Sequence, residues 1–164
     1  MCKTNTVYST TGGSVCAIWH TCRESDCCQK SSSRWGFAIP TVLIVDDHEI
    51  VRQGVRRILE TQNDWEICGE AENGREALRL SQLLKPDAIV MDITMPELDG
   101  LEATKRITES NPDSRVLILT MHERRGLLAA AQSSGAKGVL TKSRAANHLA
   151  SALRAILAGE TYFD

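Results

Sequence analysis

Five polar residues of this chain stand where short apolar runs stop. Asp46 and Asp47 follow "TVLIV", Asp92 follows "AIVM", Thr120 follows "RVLIL", and Lys142 follows "KGVLT". An aspartate at the end of a buried run is either a cap for the next helix or a reactive carboxylate. Taken singly, each of the five has an ordinary structural role: threonine favours strands, and a lone lysine near a sheet edge is usually solvated. They pose a different problem if one fold brings them to one rim. At an effective dielectric of ~20, two carboxylates ~4 Å apart repel by about 4 kcal/mol. A hard divalent cation removes that cost. Mg²⁺ favours oxygen ligands in octahedral geometry and keeps several of its waters, so the acids point to a Mg²⁺ site.

The elements that would position these residues follow from hydrophobic periodicity. The runs at 41–45, 88–91 and 115–119 are continuous and rich in Val, Ile and Leu, which suits strands buried on both faces of a parallel sheet. "WEICGEAE" (65–72) and "KGVLT" (137–141) read as weaker strands nearer the sheet edges. Between the strands, Ile50, Val51, Val55, Ile58 and Leu59 form one helical stripe, and Leu149, Ala152, Leu153, Ile156 and Leu157 form a cleaner one. Residues 73–85 start at a capping Asn73 and stop before Pro86, and residues 99–111 start at Asp99 and stop before Pro112. Residues 123–134 make a poorer helix, with Gly126 near the start and a run of alanines.

Five strands alternating with five helices predict an α/β fold: a doubly wound parallel sheet of flavodoxin-like order 2-1-3-4-5. In such sheets the reactive crevice lies outside the carboxyl ends of the strands, at the switch point in strand order. Those ends are where the five polar residues fall.

Composition narrows the alternatives. A length of 164 residues is about one domain's worth. The net charge of −2 and the lack of any Lys/Arg run argue against a nucleic-acid surface. No apolar stretch approaches the ~18 residues a membrane span requires, so a soluble protein is expected. Five of the six cysteines (Cys2, Cys16, Cys22, Cys27, Cys28) crowd into the first 28 residues, where a secreted disulfide scaffold would distribute them. Their spacing around His20 matches no familiar zinc knuckle. Residues 1–39 lack strand or helix periodicity and end in Ser-rich "QKSSSRWGFAIP", so a disordered extension is expected ahead of a domain at 40–164.

The stretches "VLIVDDHEIVRQGV", "VMDITMPELDG", "VLILTMH" and "GAKGVLTKS", in that order, resemble the receiver domain of bacterial two-component response regulators. The resemblance spans residues 41 to about 162. The wording "DDHEIVRQGVRRIL" and "LTMH" is most similar to the subgroup that precedes a LuxR-type helix-turn-helix (NarL/FixJ-like). It implies that Asp92 is the phosphoacceptor, a carboxylate nucleophile that takes a phosphoryl group from a histidine kinase. It also implies that Asp47 and Asp92 bind Mg²⁺ directly with the backbone carbonyl of Thr94, while Asp46 acts through metal-bound water. Lys142 would pair with the carboxylate and then with a phosphoryl oxygen, and Thr120 would donate its hydroxyl to the phosphoryl group. The family usually carries an aromatic switch residue three positions before the lysine; here that position is Val139.

On this reading the chain is a cytoplasmic signalling switch that catalyses only its own phosphorylation and dephosphorylation. It would control transcription through a missing or separate output module, as a fragment of a transcription factor or a stand-alone receiver, with a homodimer as one outcome of phosphorylation and no DNA-binding domain in this chain after "LAGETYFD". The rival reading is a Mg²⁺-dependent phosphohydrolase that passes through an aspartyl phosphate. That chemistry needs a second acid two residues after the nucleophile, where this chain has Thr94. A dinucleotide-binding turn would need glycines where "VDDHEI" places acids.

Overall fold

Val42, Leu43, Ile44 and Val45 offer no polar face, and β1 (Thr41–Val45) is accordingly buried on both sides. The computed structural model of the chain describes residues 39–121 and 126–163. The cysteine cluster around His20 and the extension expected over 1–39 fall outside the described residues, apart from residue 39 itself. Around β1 run β2 (Glu66–Ala71), β3 (Ala88–Asp92), β4 (Val116–Thr120), β5 (Gly138–Thr141) and β6 (Tyr162–Phe163), all parallel, in the order 2-1-3-4-5-6.

Alternate strand residues feed two cores, as the two-residue repeat of a strand requires. Val42, Ile44, Val90 and Leu117 pack against α1 (Glu49–Glu60) and α5 (Ala145–Leu157) through Val55, Leu59, Leu149, Leu153 and Ile156. Leu43, Val45, Ile89, Met91 and Ile118 pack against α2 (Gly74–Leu84), α3 (Gly100–Ser110) and α4 (Leu127–Ser133) through Ala77, Ala103, Ile107 and Ala131. Two helix starts are held as their sequences suggest. Asn73 accepts a hydrogen bond from the Glu76 amide, and Asp99 accepts from the amides of Leu101 and Glu102. Among the described residues no helix is long and apolar enough to cross a membrane.

Two expectations need correction. Ile50 does not join the buried stripe of α1; it is 80% exposed, and Arg52 is buried instead. At 3.6 residues per turn, Ile50 falls on the opposite side of the helix from Val55 and Leu59. The sheet also has a sixth strand, so β5 is not its edge. Tyr162 and Phe163 pair with Gly138 and Val139, and a Cβ on Gly138 would come within 2.6 Å of the Tyr162 carbonyl oxygen. The missing side chain lets β6 dock.

Candidate functional site

Register brings the polar residues to one end of the sheet. Val45 pairs with Met91, so Asp46 and Asp92 leave adjacent strands side by side. Asp92 lies opposite Leu119, one residue before Thr120, and Thr120 pairs with Thr141, one residue before Lys142. Lys142 opens a single 3-10 turn (Lys142–Arg144), and its ammonium lies 2.6 Å from Asp46 Oδ2 and 3.0 Å from Asp92 Oδ1. All three side chains are nearly sealed from solvent, at 10%, 3% and 5% exposure.

This burial shapes the charges. It pushes the Asp92 carboxyl above the ordinary carboxylate range; the hydrogen bond from Lys142 opposes the rise, and the neighbouring Asp46 charge adds to it. Burial alone would lower the Lys142 ammonium, but hydrogen bonds to Asp46 and Asp92 outweigh it and raise its pKa. Lys142 is therefore a fixed positive charge among three acids.

Asp46 is held at every polar atom. Its amide donates to the Ala71 carbonyl, and its own carbonyl accepts from Arg52 Nη1 at 2.8 Å. Its Oδ1 accepts from the His48 amide and its Oδ2 from Lys142. Arg52 in turn reaches Glu72 at 2.8 Å and Glu70 at 3.3 Å, tying the end of β1 to β2.

Asp47 differs. Its Oδ1 is closed off from solvent and, among the described residues, is paired with the His48 imidazole, whose Nδ1 stands 2.7 Å away. Asp46, Asp47, His48 and Asp92 each offer one donor atom, all within 4.8 Å of one another. Carboxylate oxygens converging from three acids suit a hard divalent cation.

The turn after Asp92 shapes the floor of the site. Gly100, the first residue of α3, donates its amide to the Ile93 carbonyl at 2.8 Å. A Cβ at this position would collide with the Asp92 carbonyl oxygen, so "LDG" lets α3 begin directly against the end of β3. Thr94 lies exposed in the loop between β3 and α3, and Thr120 is buried at the end of β4.

Of the residues singled out from sequence, Asp46, Asp47, Asp92 and Lys142 come together directly, and Thr120 lies on the same rim. Val139 is 2% exposed inside the sheet, between Ile118 and Phe163. Val139→Tyr should overpack this enclosed position and cost about 1–3 kcal/mol in urea unfolding. Equal stability of the two proteins would mean that the pocket around β5 yields freely. Sequence reasoning missed His48 and Arg52. His48 left a trace, since it stands at the N-cap of α1, where Ser, Thr, Asp or Asn is usual, and its side chain makes no capping bond. Arg52 left none.

A doubly wound sheet with an acid pair, an acid and a lysine on one carboxyl rim is the arrangement that the resemblance to receiver domains implied. The model of the response regulator receiver domain matches residues 42–154, and the chain belongs to that family. Response regulator UvrY of Escherichia coli strain K12 is 40% identical over 121 residues, 74% of this chain and 56% of that protein. The chain thus spans about half the length of the curated relatives it matches. A LuxR-family two-component response regulator from Aurantimonas sp. SI85-9A1 superimposes with a TM-score of 0.73 at 39% identity, covering 76% of this chain and 89% of that one. The receiver domain of the putative response regulator NarL from Mycobacterium tuberculosis gives 0.71 at 29% identity, covering 74% and 98%.

Proposed function

We propose that residues 40–164 form a phosphorylation-dependent switch of a two-component system, with Asp92 as phosphoacceptor. The observation that carries this reading is the buried Asp92 carboxylate, held 3.0 Å from the Lys142 ammonium with Asp46 and Asp47 converging on it. An oxygen of Asp92 attacks the phosphorus of a phosphohistidine on a histidine kinase. The new P–O bond forms as the P–N bond breaks, and the imidazole leaves with the bonding electron pair.

Phosphoryl transfer depends mainly on positioning and on neutralising charge. Lys142 supplies one fixed positive charge, and it passes from the carboxylates to a phosphoryl oxygen as the bond forms. The strand end and the Gly100 turn hold the nucleophile still. Thr120, one register step beyond Asp92, donates its hydroxyl to the new phosphoryl group. Bound Mg²⁺ would contribute further charge neutralisation, held by Asp47, Asp92 and the Thr94 carbonyl, with Asp46 acting through water.

The likeness to UvrY and to LuxR-family structures supports a role in transcriptional control through an output module, in the cytoplasm. The net charge of −2 supports leaving DNA contact to that module. Because Val139 has no ring, Thr120 and backbone movement around β5 carry the signal to a homodimer contact.

Intact-mass measurement after incubation with acetyl phosphate tests the reading. One phosphoryl-sized increment should appear with Mg²⁺ and vanish with EDTA. Absence of the increment under both conditions would overturn it.

A further inference from the structure

Arg52 interrupts the apolar stripe of α1: it is buried on the same face as Val55 and Leu59. A cation is poorly placed there. The start of a helix presents the positive end of its dipole, and burial takes the guanidinium out of water. Stability alone gives little reason for it, since a buried ion pair can often be replaced by apolar side chains without loss. Its bonds supply a reason. Nη1 donates to the Asp46 carbonyl at 2.8 Å, inside the fold. Nη2 donates to Glu72 at 2.8 Å and Nε to Glu70 at 3.3 Å, on the side of the edge strand β2. The bonded carbonyl belongs to the peptide that joins Asp46 to Asp47. That peptide is planar, so its tilt fixes ψ of Asp46 and φ of Asp47 together. The Asp46 carboxylate is held independently, by the His48 amide and by Lys142. The Asp47 carboxylate is paired, among the described residues, with the exposed His48 imidazole. Its aim therefore depends on the backbone, and the backbone there is held by Arg52.

We propose that Arg52 is a positioning residue for phosphoryl transfer. Its guanidinium, anchored outside by Glu70 and Glu72, fixes the Asp46–Asp47 peptide and so keeps the Asp47 carboxylate aimed at Asp92. This deepens the reading of Asp92 as phosphoacceptor and rests on it. The planar fork matters here beyond its charge. A lysine carries one compact charge and cannot join a carbonyl to two carboxylates in a fixed geometry. Misplacing a reacting group by about 1 Å can slow a reaction roughly a hundredfold. Loosening one peptide beside that group should cost less.

Rates of mass gain from acetyl phosphate in excess Mg²⁺, measured on the full chain beside urea midpoints, test this. Arg52→Met should react about tenfold more slowly at saturating acetyl phosphate, with the half-saturating concentration changed less than about twofold. Arg52→Lys should remain at least about threefold slower than wild type. Glu72→Ala alters an exposed side chain and leaves Arg52 in place. It should slow the reaction about threefold with an unchanged urea midpoint. A wild-type rate in Arg52→Met or Glu72→Ala overturns the proposal, and a lowered midpoint at that rate would mean that Arg52 only holds the fold. Full rescue by Arg52→Lys also overturns it, because charge alone would then suffice. Should Arg52→Met fail to fold, the other two variants decide. If the wild type gains no phosphoryl increment, or Asp92→Asn gains one, the phosphoacceptor reading fails instead.

Discussion

Asp92→Asn should abolish the phosphoryl mass increment and leave the cation-free protein more stable than wild type at neutral pH. The first effect follows from chemistry: an amide oxygen cannot replace the carboxylate nucleophile. The second follows from burial. Folding raises the Asp92 pKa, so the folded state holds this proton more tightly than the unfolded chain does. Ionising Asp92 therefore costs stability at any pH above the raised value, and the cost fades as pH falls through it toward the ordinary 3.8. Asparagine never carries the charge. Urea unfolding of both proteins in EDTA should show the variant ahead at neutral pH and the gap closing near the ordinary carboxylate pKa. A variant less stable than wild type at neutral pH would contradict the account. A persisting mass increment would move the phosphoacceptor elsewhere.

Removing the lysine should do the opposite. Lys142→Met leaves Asp46 and Asp92 side by side in a nearly closed site with their shared counter-charge gone. Breaking a buried pair from one side costs about 3 kcal/mol, because the remaining charge is stranded. The loss should be largest without cation and smaller in millimolar Mg²⁺, because a cation held at the proposed site would offset the stranded charges and stabilise the folded state by mass action. Folding raises the ammonium's pKa, so its contribution is fully present below the ordinary 10.5 and disappears as pH rises through the raised value. Phosphorylation should slow about a hundredfold, the usual cost of losing one preorganised positive donor. Unfolding curves with Mg²⁺ and with EDTA, together with rates of mass gain, check both effects. A variant as stable as wild type in EDTA would mean that the ion pairs contribute nothing net.

The site was readable from sequence to the extent that strand ends announce themselves. β1, β3 and β4 are continuous apolar runs because both of their faces are covered, and each run stops at a polar residue of the carboxyl rim. Right-handed crossovers in a parallel sheet then put every carboxyl end on one side. The α1 stripe was read one residue too far, since a first-turn isoleucine cannot be told from a core residue until the helix docks. β6 was invisible because it is two residues long, pairs with Gly138 and Val139, and docks only because Gly138 lacks a side chain.

The sequence by itself determined the parallel α/β order, the strand-end positions of Asp46, Asp47, Asp92, Thr120 and Lys142, and the caps at Asn73 and Asp99. These depend on local periodicity and on a handedness that all L-residue chains share. Only the tertiary structure decided that Lys142 lies closer to Asp46 than to Asp92, a contact between residues 96 positions apart. It also buried Arg52 against Glu70 and Glu72, 18 and 20 positions away, and turned His48 toward the acids. Such contacts depend on which charges the packed strands bring within a few ångströms, a distance that spacing along the chain does not encode.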